Sequence, residues 1–226
     1  MRYGLREGLS FCHVDDGLIF LDLEADRYFR LGSRLEHAFL QHLEGGSHCV
    51  ADLDALLQRN ILVPLLSGAD GALETAVKAP SHSLVEHTYA LPCRRQTALI
   101  EVLVIVCSVQ LQLKTRALDR LLDAMATRRD CRASKSPEHH EQAPDPGMVR
   151  AVQQFRRARP YVPIETCCLL DSISLVFFLA RRGLWASFVF GVTNRPFAAH
   201  CWVQNGDWVL NDTVGNALAH TPIRAI

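Results

Sequence analysis

A largely apolar run over residues 166 to 183 is followed directly by three β-branched and aromatic segments, and this order limits the possible folds most. The run predicts a buried helix, with Thr166 as the N-cap and Gly183 just beyond the C-terminal end. The segments after it are typical of strands, and they cover residues 185 to 192, 198 to 204 and 208 to 213. The sequence therefore predicts a helix packed against an antiparallel sheet.

Cys168 lies in the first turn of this predicted helix. Unpaired backbone N–H groups and the positive end of the helix dipole stabilise a thiolate there. The thiolate is the form of cysteine that attacks a carbonyl carbon, and the N–H of Cys168 is a candidate donor to the resulting oxyanion. Position and chemistry both indicate a nucleophile.

The strands that follow carry a histidine and a carboxylate, His200 and Asp212. A three-residue loop over residues 205 to 207 would place His200 opposite Asp212, because side chains alternate along a strand. A two-residue turn at Asn205-Gly206 would place Asn211 opposite His200 instead. Either loop provides a polar partner for the imidazole, and both assignments stay open.

Several short motifs are spaced together in the last third of the chain: Cys168-Leu169-Leu170-x-Ser172, Arg181-Arg182-Gly183, Phe190-Gly191-Val192, Pro196 to His200 with Trp202-Val203, and Leu210-Asn211-Asp212. Residues 145 to 226, with this joint spacing, resemble the leader peptidases of lasso peptide biosynthesis, often called the B proteins. The resemblance implies a transglutaminase-like, papain-like cysteine protease domain built from a helix bundle with an antiparallel sheet. It also implies a triad of Cys168 as nucleophile, His200 as general base and Asp212 as orienting residue. One departure is Cys201, where the family usually has a small residue.

Four soft metal ligands lie in the same region: Cys167, Cys168, His200 and Cys201. Adjacent pairs lack the gap of roughly two to four residues that allows two ligands to chelate tetrahedral zinc. Residues 200 and 201 of a strand also point to opposite faces. We therefore expect no metal, and since no glycine-rich phosphate loop is present, we expect no cofactor.

The front of the chain has a different pattern. Residues 9 to 31 alternate in hydrophobicity and predict three short strands, over residues 10 to 14, 18 to 23 and 27 to 31. Ser33 is the expected cap of a following helix, and a second helix is expected over residues 50 to 59. These elements predict a small winged-helix-like domain over residues 1 to 80, ahead of a peptidase domain over residues 81 to 226. The predicted fold class of the whole chain is α+β.

Residues 17 to 23 and 28 to 31, with the helices after them, resemble the leader-recognition domain of peptide-modifying enzymes. That domain is a relative of the small pyrroloquinoline-quinone chaperone fold. In the family, the precursor's leader adds as an extra strand beside the third strand and lies against the last helix. The resemblance therefore implies that the leader contacts residues of these two elements: Arg27, Tyr28, Phe29, Arg30, Leu31, Leu53, Leu56 and Leu57.

Charge also separates the two predicted domains. Residues 1 to 80 contain 7 Lys and Arg against 12 Asp and Glu, whereas residues 81 to 226 contain 17 against 12. Because an acidic surface repels phosphates, we expect no nucleic-acid partner. The apolar run over residues 97 to 113 includes Glu101 and is shorter than the roughly 20 residues that span a membrane, so we expect a core helix and no membrane.

No continuous apolar segment follows Arg2 and Arg6, so we expect no signal peptide. The eight cysteines are expected to stay reduced in the cytoplasm. The sequence thus predicts a cytoplasmic cysteine endopeptidase that removes the leader from a lasso peptide precursor. The resemblance further implies a separate ATP-dependent, asparagine-synthetase-like lactam synthetase, which closes the macrocycle at the freed amine. A non-catalytic escort that binds the precursor, and a Cys-His-Asp acyltransferase, remain alternatives.

Overall fold

A computed structural model describes residues 3–46, 49–65, 77–87, 95–115, 118–133 and 145–226. The chain divides into two compact units, Met1–Thr75 and Ala76–Ile226. The boundary expected after residue 80 lies five residues beyond this division. Each unit has its own sheets and helices.

The first unit contains a three-stranded antiparallel sheet and two helices. Its elements are β1 Tyr3–Leu5, β2 Leu9–Val14, β3 Gly17–Asp22, β4 Arg27–Phe29, α1 Ser33–Leu43, α2 Val50–Gln58 and β5 Leu62–Pro64. The sheet order is β2-β3-β4, while β1 pairs with β5 in a separate ribbon. The three strands expected here are confirmed within two residues at each end, whereas the β1–β5 ribbon was not expected. Ser33 is the first helical residue and Gly32 is the N-cap, so the predicted cap at Ser33 is wrong.

Aromatic side chains fill the centre of this unit. The ring of Phe20 lies 5.2 Å from the rings of both Phe29 and Phe39, and Phe11 lies 5.1 Å from Phe39, measured between ring centroids. Alternation along β3 and β4 directs Phe20 and Phe29 to one side, where both helices cover them. The hydrophobic pattern of the strands therefore decides which face of the sheet is buried.

The second unit joins a helix bundle to a five-stranded sheet. Its elements are β6 His82–Ser83, α3 Arg95–Thr115, α4 Leu118–Ala133, α5 Pro146–Ala158, α6 Cys168–Ala180, β7 Ser187–Asn194, β8 Phe197–Asn205, β9 Trp208–Val209, α7 Val214–Leu218 and β10 Thr221–Ala225. The sheet order is β10-β7-β8-β9-β6, with β6 parallel to β9 and the other pairs antiparallel. The helix α6 packs on β8 and against α3 and α5, which also contact each other. The predicted helix with an antiparallel sheet is confirmed.

The start of α6 differs from the prediction in one respect. The helix begins at Cys168, with Cys167 as the N-cap residue and no side chain bonded to the first turn, so the predicted cap at Thr166 is wrong. Cys168 nevertheless remains in the first turn. After the helix, Gly183 has φ of +73°, a left-handed conformation that favours glycine and stops the helix.

The turn between β8 and β9 contradicts both predicted registers. Asn205 pairs with Trp208 and Gln204 with Val209, so Gly206 and Asp207 form the turn. Gly206 takes the left-handed conformation, with φ of +60°. The third strand also ends at Val209 rather than at residue 213, and the chain then bends. The position of Asp212 is therefore decided by this bend and not by strand pairing.

The helix α3 is longer than expected. Its stretch Ala98–Thr115 is long and apolar enough to cross a membrane by length and composition, so the expected shortfall in length is wrong. Val102, Val106 and Val109 are buried in the second unit, whereas Ile100 and Leu111 are exposed. This half-buried pattern is typical of a helix that covers a core, and the absence of a membrane stays a prediction.

Candidate active site

The structure brings Cys168 and His200 into contact. Cys168 is the first residue of α6 and is half-buried, and His200 lies on β8, the strand against which α6 packs. The side chains of the two residues share a hydrogen bond. The Nε2 atom of His200 is hydrogen-bonded to Oδ2 of Asp212. The other ring nitrogen, Nδ1, is therefore the one that faces the sulfur of Cys168. Three residues from three segments thus meet in the order thiol, imidazole, carboxylate.

The electrostatics of this contact favour an ion pair. Hydrogen bonds from the Cys201 side chain and from His200 outweigh burial and lower the pKa of Cys168 to about 4. Hydrogen bonds with Asp212 and then with Cys168 raise the pKa of His200 to about 9. At neutral pH the site therefore holds a thiolate beside an imidazolium, which is the reactive state of a thiol nucleophile.

Two hydrogen-bond donors from the residues that follow Asp212 in the chain hold its carboxylate in place. Its Oδ1 accepts from the N–H of Thr213 at 2.7 Å, and its Oδ2 accepts from Nδ2 of Asn216 at 2.8 Å. Burial by itself would raise the pKa of Asp212, but the bonds from His200, Thr213 and Asn216 hold it below its ordinary value. Asp212 therefore stays ionised and supports the charged form of His200.

Asn211, the other candidate partner of His200, forms its hydrogen bonds with other residues. Its Oδ1 accepts from the N–H of Val203 at 2.8 Å, and its Nδ2 donates to Oγ of Ser172 at 2.8 Å. Ser172 is fully buried on α6 and donates in turn to the carbonyl of Cys201 at 3.3 Å. Asn211 thus connects the helix that carries Cys168 with the strand that carries His200.

Sequence reasoning missed Arg159, which supports the approach to the nucleophile. Its Nε donates to Oδ1 of Asp171 at 2.6 Å, and its two terminal nitrogens donate to the carbonyls of Ile164 and Glu165 at 3.0 and 3.1 Å. The Arg159 side chain is only 6% exposed. Because Asp171 lies in the first turn of α6, this pair fixes the segment that leads into Cys168. An arginine just after an amphipathic helix is a weak signal, and only the fold shows its partners.

Sequence reasoning also missed Asn216, which lies in α7 beside the imidazole. Its Nδ2 lies 3.2 Å from Nε2 of His200, in addition to the bond with Asp212. Its backbone N–H bonds to Oγ1 of Thr213, the cap of α7, and its carbonyl accepts from Nδ1 of His220. The ring of His220 in turn lies 5.1 Å from that of His200. Asn216 therefore contacts both His200 and Asp212.

Gly191, from the motif Phe190-Gly191-Val192, leaves room for side chains next to His200. It stands opposite His200 in the register of β7 and β8. A Cβ atom at this position would lie 2.6 Å from the ring of Trp202 and 2.9 Å from His220. Trp202 is fully buried, so its ring has little room to move. Glycine here allows the indole to pack beneath the site.

Cys201, the departure from the family pattern, also reaches the nucleophile. Its buried side chain hydrogen-bonds to Cys168, and this bond, with burial, raises the pKa of the Cys201 thiol. A neutral thiol is a donor, so Cys201 stabilises the neighbouring thiolate. Within the described parts of the chain, no group of three or more His, Cys, Asp or Glu side chains is arranged to hold a metal ion.

The residues expected to contact a leader lie in three settings of the first unit. Leu31 and Leu56 are buried in its core, and Phe29 stacks on Phe20, so these side chains support the sheet. Arg27 and Arg30 are exposed along and beyond β4. The remaining three, Tyr28, Leu53 and Leu57, are half-buried. Among the strands that the structure describes, β4 pairs with β3 alone, so its outer edge is open.

Comparison with known proteins agrees with the geometry of the second unit. A family model described as the Transglutaminase-like superfamily matches residues 105–225, more than half of the chain, and spans all three residues of the Cys-His-Asp contact. That superfamily includes cysteine proteases and acyltransferases. No curated protein and no solved structure matches the chain.

Proposed function

The chain belongs to the transglutaminase-like superfamily, and we propose that it is a cysteine endopeptidase that removes the leader from a ribosomally made lasso peptide precursor. The observation that carries the proposal is the contact of Cys168 with a histidine that is itself bonded to Asp212. A thiolate paired with an imidazolium attacks the carbonyl of a peptide or thioester. The motif resemblance supports the leader of a lasso precursor as the substrate.

The chemistry proceeds in two halves. The Cys168 sulfur forms a bond to the scissile carbonyl carbon, and the carbonyl electrons move to the oxygen. When this intermediate collapses, the carbon–nitrogen bond breaks and the imidazolium of His200 donates its proton to the leaving amine, which becomes the core N-terminus. Neutral His200 then takes a proton from water, whose oxygen attacks the thioester and releases the leader as a carboxylic acid with the thiolate restored. Asp212 keeps Nε2 protonated throughout, so Nδ1 makes both proton transfers.

The first unit supports the choice of a peptide precursor as substrate. We propose that Met1–Thr75 is a winged-helix-like leader-recognition domain and that the leader adds as a strand along the open edge of β4. Backbone bonds at a sheet edge accept many sequences, while side-chain contacts select among them. In this proposal the enzyme acts in the cytoplasm, and an ATP-dependent, asparagine-synthetase-like lactam synthetase takes the freed amine.

The test uses the purified full chain and a synthetic candidate precursor, that is, a leader joined to a lasso core peptide. We expect mass spectrometry to detect two products, a leader with a free carboxylate and a core with a free amine. Cys168→Ala removes the nucleophile and is expected to lower the cleavage rate by about 10⁴-fold or more. Cys107→Ala, at an exposed cysteine of α3, is the matched control and is expected to cleave normally.

Each other outcome identifies a different function. Cleavage that survives in Cys168→Ala would exclude Cys168 as the nucleophile. A leader recovered as an amide adduct would indicate acyl transfer to an amine. Precursor binding without any cleavage, with or without the synthetase, would indicate the non-catalytic escort.

A further inference from the structure

The first unit contains an open cavity of about 460 Å³ next to β4. Four arginines line it, namely Arg6, Arg27, Arg30 and Arg59, together with a single carboxylate, Asp22. Residues 1 to 75 contain only six arginines against 12 Asp and Glu. Four of the six arginines of an acidic unit therefore contribute atoms to the lining of one cavity, although the guanidinium of Arg30 points away from it.

The four guanidinium groups are engaged to different degrees. The guanidinium of Arg6 forms ion pairs within the unit, with Asp22 at 2.8 Å and with Glu24 at 2.5 Å. The guanidinium of Arg30 lies against Gly17, at the end of β3 away from Asp22. Arg27 is exposed, lies over the ring of Phe29 at 5.5 Å from its centroid, and stands opposite Asp22, whose carboxylate its charge attracts. Arg59, at the C-terminal end of α2, is exposed.

The cavity lies on the side of β4 that an added strand would address. Arg27 and Phe29 point to the same face of β4, because they are two residues apart, and they stand opposite Asp22 and Phe20. In a peptide paired with the outer edge of β4, every second side chain would point to this face. One of those side chains would enter the space between Arg27 and Arg59.

We propose that this cavity binds the carboxylate of an Asp or Glu side chain in the leader peptide, with Arg27 and Arg59 as its donors. The inference rests on the proposed function, since it assumes a peptide paired with β4. The positive lining within an acidic unit is complementary to a carboxylate, and the planar fork of arginine bonds both carboxylate oxygens at once. The acidic surface of the unit would repel further carboxylates elsewhere in the leader. The cavity therefore selects a single acidic residue at one position of the leader.

A selection from random peptides tests the inference, because it requires no particular leader sequence. The full chain carrying Cys168→Ala, which prevents cleavage, is used to select from an mRNA-displayed library of random 12-residue peptides. We expect selected peptides to share apolar positions and one position enriched in Asp or Glu. In the same selection, Arg27→Gln with Arg59→Gln is expected to remove the acidic preference while keeping the apolar one. Arg34→Gln is the matched control, because Arg34 belongs to the same unit, is 74% exposed and does not line the cavity.

A binding cycle then measures the contact. One selected peptide is made with Glu or with Gln at the acidic position, and the affinity of each version is measured. On the chain with both native arginines, the Gln peptide is expected to bind about tenfold more weakly than the Glu peptide. On the Arg27→Gln, Arg59→Gln chain, the two peptides are expected to bind equally well. Selected peptides without an acidic preference, or a preference that survives in the double variant, would overturn the inference and leave peptide binding at β4 standing. Selection of no peptide at all would overturn both.

Discussion

Both units of the chain have an apolar core, but among the described residues most of the buried polar side chains lie in the second unit. The core of Met1–Thr75 is aromatic and aliphatic around Phe20 and Phe39, and four arginines of this unit line a cavity next to β4. In Ala76–Ile226, ion pairs and hydrogen bonds run through the partly buried space around Cys168. An extended peptide can be recognised through backbone groups of a well-supported strand, whereas a thiolate needs donors at fixed distances. If the first unit binds a peptide as proposed, recognition would depend on an apolar core, whereas the proposed chemistry would depend on a polar network.

After removal of the Cys168 thiol itself, the largest effect that separates the two units is expected from Asp212→Ala. His200 would lose its orienting carboxylate and the main cause of its raised pKa, so the cleavage rate should fall by about 10³-fold or more. Binding of the precursor, measured by fluorescence anisotropy, should not change. Asp207→Ala, in the nearby turn, is the control. A loss of binding together with cleavage would break the comparison.

Arg159→Ala tests the dependence of the second unit on buried charge. Removing Arg159 leaves Asp171 partly buried without its partner, and the free energy of unfolding should fall by about 3 to 5 kcal/mol. Denaturant unfolding measures this change, with the exposed Arg157→Ala as control. Replacing both partners, as Arg159→Met with Asp171→Leu, should recover most of the stability but not the cleavage, because the carbonyls of Ile164 and Glu165 still lack their donor. Recovery of cleavage would show that Arg159 acts through stability alone.

The pH dependence of cleavage should follow the ionisation of Cys168 and His200. Below the pKa of Cys168, about 4, the thiolate is protonated and cannot attack. Above the pKa of His200, about 9, the imidazolium has lost the proton that the leaving amine requires. The kcat/KM profile should therefore be a broad bell with limbs near these two values. A single ascending limb near the ordinary pKa of a cysteine, about 8.5, would contradict the ion pair.

The smallest expected effect is that of Asn216→Ala. The variant removes a hydrogen bond to an ionised carboxylate, so kcat should fall by about tenfold while KM stays the same. The alkaline limb of the pH profile should shift down, because Asp212 would be less firmly held against His200. Leu218→Ala, at an exposed residue of the same helix, is the control. An unchanged profile would show that Asn216 only caps the bend.

Much of the site could be predicted because its signals are local. Cys168 was identified from its place in the first turn of an apolar helix, and His200 from the alternation of a strand, and the structure brings the two together. The strands of the first unit were predicted for the same reason, since alternation with Asp-Gly and Asp-containing turns is a short-range pattern. By contrast, β10 contains Pro222, which argues against a strand, yet it pairs at the edge of the sheet with an irregular register.

The sequence by itself determined the secondary structure around the nucleophile and the identity of three residues suited to a thiol, a base and an orienting carboxylate. Only the tertiary structure decided how they meet. The turn at Gly206 and Asp207 shifts the register by one residue from the three-residue loop and by two residues from the two-residue turn, and a bend after β9, held by Asn211 and Asn216, brings Asp212 to the imidazole. The periodicity of hydrophobic residues indicates which face of a helix or strand is buried. A hydrogen bond between segments far apart in the chain depends instead on how those segments pack, and no local sequence pattern predicts that packing.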